Sequence, residues 1–281
     1  MDRELVFAVL VAALCGLALM AAGWWWPQSS LHEDASAPSE RTHWRRLWLP
    51  FAPATLVFAV LCGWAWVEPR DAEPAPKALL LAALPFALVF ARAAWRATRA
   101  LRIAHARHTI ATVGLLRPRI ILSPAFADAV DSNAMAAAIE HERAHMRHRD
   151  PLRLWLAQLG TELQWPAPAA AMRLQAWKRA LELARDDEAR LHGAAGPDLA
   201  AAILASLRLS NGSLAHGAAL LAEEAFVRER VMRLLQPMTT DAPAERRFAP
   251  ILALLALAVP IATLVGLKFG ERLIGSLLTG A

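Results

Sequence analysis

Three stretches of this chain run for twenty residues or more without a charged side chain: 5–26, 47–67 and 248–267, of 22, 21 and 20 residues. At 1.5 Å per residue, each is long enough as a helix to cross a hydrocarbon layer of about 30 Å. A fourth stretch, 78–95, is interrupted only by Arg92, whose long side chain near a helix end can reach the headgroups. The expected frame is therefore four transmembrane helices. It agrees with a hydrophobic content of 57% and a mean hydropathy of +0.33, which exclude a disordered chain and argue against a purely soluble one. Cys15 and Cys62 both lie inside apolar runs, so neither a disulfide framework nor a cysteine zinc cluster is available. Any metal site must draw on His, Asp or Glu.

The first run is preceded by Asp2, Arg3 and Glu4 and exceeds the apolar core of a secretory signal, so it is expected to stay in the protein. Trp24, Trp25, Trp26, Trp44, Trp48, Trp64, Trp66 and Trp95 fall near the expected span ends, as an interfacial belt would place them. The net charge of +5 raises the question of nucleic acid, but position decides against it. Arg92, Arg96, Arg99, Arg102 and Arg107 follow the third run, Arg246 and Arg247 precede the last, and no recognition motif accompanies them. By the positive-inside rule the segment between is cytoplasmic, while both termini and the 68–77 loop are extracytoplasmic. The chain thus reads as a multi-pass protein of the cell membrane, with lipids as partners. Residues 1–95 hold three spans, 96–247 a cytoplasmic domain, and 248–281 the fourth span and a short tail.

Within the cytoplasmic domain, 109–113 and 119–122 are β-branched or apolar and flank a turn at 114–118, the pattern of a short hairpin. The remainder predicts helices over 132–149, 151–164, 169–191, 198–209 and 218–235, with Gly193, Gly196 and Pro197 separating the third from the fourth. The expected class is mainly α.

The helix at 132–149 contains His141-Glu142-Arg143-Ala144-His145. Two histidines four apart share a helix face, where both imidazoles can bind one zinc ion, and Glu142 beside them can take a proton from water. With nine histidines and 25 acids in 281 residues, roughly 0.03 such matches are expected by accident. Burying two histidines and a carboxylate without a cation would also be costly. A catalytic zinc needs a third protein ligand. A third histidine six residues after His145 is ruled out by Pro151, so a carboxylate from a later helix is expected. Glu182 is the best placed, because Asp186 lies one turn on along its face and can orient a zinc-bound histidine. Glu162 and Glu188 are weaker substitutes, and a solvated acidic face is the bland alternative.

These residues, together with 147–151, Glu182-Leu183-Ala184-Arg185-Asp186, the preceding Leu115–Pro124 stretch and the later 227–235 segment, resemble the BlaR/MecR-type membrane zinc metallopeptidases. The resemblance implies a helical gluzincin-type peptidase domain between the third and fourth spans. It implies zinc held by His141, His145 and Glu182, with Glu142 as general base. It further implies hydrolysis of a cytoplasmic protein, such as a transcriptional repressor, in signal transduction. The best-known members continue beyond the fourth span into an extracellular β-lactam-binding domain. Here eleven residues follow Gly270 and carry no penicillin-sensing serine motif, so antibiotic sensing is not expected of them.

With no tyrosine in the chain, the second donor to the carbonyl oxygen in the transition state must be His, Arg, Asn or backbone, and His192 and Arg190 are the candidates. The hairpin edge is expected to align an extended substrate by strand addition. Two rivals stand beside this reading: a housekeeping membrane protease of the stress-response or prenyl-protein type, and a non-catalytic four-span scaffold with a structural metal. Nothing in the sequence bears on oligomeric state.

Overall fold

The structure is a computed structural model that describes residues 39–56, 77–107, 110–165, 167–210 and 218–237. Helix α1 spans Glu40–Trp48 and α2 spans Lys77–Arg107. A two-stranded antiparallel hairpin follows, β1 Ile110–Val113 and β2 Arg119–Leu122, with Ala111 opposite Ile121. Then come α3 Pro124–Ala129, α4 Ser132–Arg147, α5 Asp150–Leu163, α6 Pro168–Leu191, α7 Gly196–Ser210 and α8 Ala218–Leu234.

Local chemistry explains the boundaries. The hairpin turns at Gly114, whose φ of +101° favours glycine, and a Cβ there would lie 2.5 Å from the Arg117 carbonyl oxygen. Helix α4 starts where the Asp131 carboxylate accepts from the Ala134 N–H at 2.8 Å. It ends at a tight elbow: His148 caps it, Arg149 takes a left-handed conformation at φ 53°, and α5 begins at once with Asp150 and Pro151. That elbow folds Asp150 back towards the end of α4.

Among the described residues, helix α4 is the central element. Ala134, Ala137 and Ala138 are buried at its start, and small side chains let α7 approach closely through Leu199, Ala200 and Ala202. The same face continues one and two turns on into His141 and His145, so packing against neighbours buries the histidines as well. Trp177 of α6 is fully buried and joins Leu47, Ala157, Leu174 and Leu181 in a second cluster. A third forms where Ala93 and Ala97 of α2 meet Leu159 of α5.

Several expectations change. Trp44 and Trp48, read as interfacial, are half-buried in protein: Trp44 packs on Trp177 with ring centroids 4.9 Å apart, and Trp48 on Phe51 at 5.5 Å. Helices α1 and α3 had not been expected. The stretch 78–95 does not end at Trp95 but continues as one helix to Arg107. Around Ala93 and Ala97 this helix is packed on α5, and Arg92 lies over the Trp165 ring at 5.0 Å. Among the described residues no helix is long and apolar enough to cross a membrane. The runs 5–26 and 248–267, most of 47–67, and both cysteines lie outside the described residues.

Candidate metal centre

Helices α4 and α6 bring His141, His145 and Glu182 together, with potential ligand atoms all within 4.8 Å of one another. The two Nε2 atoms are 3.1 Å apart, and Glu182 lies 3.6 Å from His141 and 3.7 Å from His145. Two nitrogens bound to one tetrahedral zinc at about 2.05 Å are separated by about 3.3 Å, so this triangle fits a zinc face without rearrangement. Both imidazoles are buried, whereas the Glu182 side chain keeps 32% of its surface open. The triangle is therefore open to solvent on the Glu182 side.

Each opposite ring nitrogen faces a carboxylate. Asp150, fully buried, accepts from His145 Nδ1 at 2.8 Å, which leaves Nε2 with its lone pair directed at the metal position. Asp186 lies 3.0 Å from His141 Nδ1, although the line of approach is too oblique for a full hydrogen bond. Each carboxylate is itself held. Arg185 forks onto Asp150 through Nε at 2.5 Å and Nη2 at 3.0 Å. Arg230 of α8 forks onto Asp186 through Nε at 2.8 Å and Nη2 at 2.7 Å, and its Nη1 reaches Glu182 at 3.0 Å.

The electrostatics call for a cation. Burial alone would raise the acids, but Arg230 and the neighbouring histidines hold Glu182 well below the usual carboxylate range, and Arg230 and His141 lower Asp186. Asp150 is brought down to about 2 against its burial by His145 and Arg185. Burial would lower His141, yet Asp186 and Glu182 raise it to about 10. Arg185 and Arg230 answer part of the charge of the three carboxylates, and Asp186 and Glu182 still favour positive charge at His141, supplied by a proton or by a metal that displaces it.

Glu142 is not among the three converging groups. It is buried, and Thr112 of β1 places its hydroxyl 2.8 Å from the Glu142 carboxylate and also 2.8 Å from its backbone carbonyl. One hydroxyl proton serves either acceptor in turn. The hairpin is thereby tied to the helix at the residue that follows the first histidine.

The family model of the BlaR1 peptidase M56 family matches residues 87–234, just over half of the chain. The chain belongs to that family. No curated protein and no solved structure matches it. The M56 match contains the whole of the histidine–carboxylate cluster, from Thr112 to Arg230, and leaves α1 outside.

Within this M56 domain the other sequence-derived candidates lie elsewhere. Arg190 and His192 stand eight and ten residues beyond Glu182, about 12 and 15 Å further along the helix. Arg190 donates to the Gln236 carbonyl at 2.8 Å, and the exposed His192 bonds the Glu188 carbonyl at 2.8 Å, so the structure does not bring them to the centre. Glu162 pairs with Arg96 at 2.7 Å, and Glu188 with Arg147 and His148. Conversely, sequence reasoning missed Thr112, Asp150, Arg185 and Arg230. Asp150, Arg185 and Arg230 sat within the family-like stretches, but nothing local marked what they touch.

Proposed function

We propose that the chain is an integral-membrane, zinc-dependent endopeptidase that hydrolyses peptide bonds of a cytoplasmic protein in signal transduction, a transcriptional repressor being the substrate class in view. The observation that carries the reading is the pairing of a zinc-shaped His–His–Glu triangle with a fourth, non-ligating acid, Glu142, beside the first histidine. A purely structural metal site has no use for that acid.

A zinc ion held by His141, His145 and Glu182 would supply Lewis acidity, making water a better nucleophile and a carbonyl a better electrophile. Glu142 takes one proton as water oxygen bonds to the peptide carbon, then delivers it to the amine nitrogen as the C–N bond breaks. Thr112 holds the Glu142 carboxylate from behind during both transfers. Arg230, 3.0 Å from Glu182 and close enough to feel the Glu142 charge, supports negative charge at the centre and takes the role expected of Arg190 or His192. The membrane part of the reading is supported by the three uncharged runs and by the exposed apolar side chains Leu84, Leu88, Val89 and Phe90 on α2 ahead of its packed half.

Glu142→Gln is expected to keep zinc and lose cleavage. Cleaved cytoplasmic proteins compared between cells carrying wild type and Glu142→Gln test it: a fragment present only with wild type identifies the substrate. Identical proteomes, with zinc bound to both purified proteins, would instead favour the metal-bearing scaffold.

A further inference from the structure

Helix α1 lies outside the family match, yet it reaches the metal centre through three side chains. Ser39 caps it, and Glu40 in its first turn is turned inwards, with 11% of its side chain exposed. One oxygen, Oε1, accepts from Trp177 Nε1 at 2.7 Å and from Arg153 Nη2 at 2.5 Å. Arg153 in turn donates through Nη1 to Asp150 Oδ1 at 3.1 Å, and Asp150 Oδ2 holds His145 Nδ1 at 2.8 Å. The Arg153 guanidinium also lies over the Trp44 ring at 4.6 Å and the Trp177 ring at 5.5 Å, so it cannot rotate away without leaving both.

We propose that Glu40 is a positioning residue for the metal centre, setting the grip of His145 on zinc through Arg153 and Asp150. The proposal rests on the zinc reading above and adds a determinant from outside the peptidase domain. Arg153 divides its charge between two carboxylates. With Glu40 removed, that charge falls on Asp150 alone, and Asp150 then pulls less strongly on the His145 N–H. Less electron density reaches Nε2, and the ring is less firmly oriented. Docking of α1 does not require this ion pair: Leu47, Trp44 and Trp48 already pack into the Trp177 cluster, and a charge pair this deep is a poor substitute for apolar contact. What the pair adds beyond docking is its link to Asp150.

The test is a thermodynamic cycle on zinc affinity, measured by chelator competition with the full-length protein in detergent, folding being checked by circular dichroism. Asp150→Asn is expected to weaken zinc about 10- to 100-fold. Glu40→Ala is expected to weaken it about three- to tenfold in the wild-type background and to change nothing further in Asp150→Asn, because its route runs through that carboxylate. Glu40→Gln, which keeps an acceptor for Arg153 and Trp177, is expected to lose about twofold and stands in for Glu40→Ala should that variant not fold. An affinity unchanged by both Glu40 variants, with only the melting temperature lowered, would reduce Glu40 to a docking contact and overturn the proposal. So would the same loss recurring in Asp150→Asn. Wild type that binds no zinc would overturn the metal reading itself.

Discussion

At the scale of single residues, the centre is organised by groups that do not touch the metal position. Thr112 is the clearest case, since a buried hydroxyl on a strand fixes the acid expected to carry the proton. Thr112→Val keeps the shape of the side chain and removes only the donor. It should lower kcat about tenfold, the worth of a hydrogen bond to a charged group, while zinc affinity stays at the wild-type value. Steady-state cleavage and chelator competition on the same preparation separate the two effects. The motif from His141 to His145 was legible in the sequence because a four-residue step is a local geometric fact. Glu182 and Asp186 were legible for the same reason, being one turn apart. The partners that hold them were not: Thr112 is 30 residues from Glu142 and Arg230 is 44 from Asp186, and no periodicity links positions that only tertiary packing brings together.

At the scale of elements, α8 is the strap across the site, and its seat is narrow. A Cβ at Gly196 would fall 2.1 Å from the Leu234 carbonyl oxygen, backbone that cannot swing aside. Gly196→Ala should therefore push the start of α7 off the end of α8 and cost about 2 kcal/mol, read as a lowered melting temperature. Because Arg230 rides on α8, zinc affinity should fall with it. A second seam joins α4 to α6, where Glu188 pairs with Arg147 and His148, each at 2.8 Å. Burial would raise the Glu188 carboxyl, but Arg147 and His148 override it and hold it below its ordinary value of 4.5. A depressed acid contributes stability that is complete above that ordinary value and is lost as pH falls through the lower, folded one. The stability gap between wild type and Glu188→Gln, in metal-free protein, should thus be present at neutral pH and close as the pH falls below the ordinary value of 4.5 and through the lower, folded one. It should not exceed about 0.5 kcal/mol, because Arg147 and His148 keep 37% and 46% of their side-chain surface open to screening water. The long helices were readable from composition and breakers, whereas α1 and α3 were not. The six residues of α3 are too few to show a period, and the arginines and tryptophans of α1 resembled a membrane flank more than a docked helix.

At the scale of the whole molecule, support for the two histidines arrives from opposite ends of the chain. His145 is steadied from the side of α1, through Glu40, and His141 from the side of α8, through Arg230. Those anchors are 190 residues apart in sequence; Glu40 stands seven residues ahead of the 47–67 run and Arg230 eighteen ahead of the 248–267 run. The boundaries of the peptidase family match, 87–234, contain only the second anchor. A recombinant fragment cut to those limits would retain His141, Glu142, His145 and Glu182 but lose the Glu40 anchor. It should hold zinc about three- to tenfold more weakly than the parent protein, and a synthetic peptide covering 39–56, added in trans, should restore part of the difference. For anyone trimming this protein to a smaller reagent, the unit worth keeping is discontinuous in sequence: it includes the short helix α1, which lies ahead of the family match.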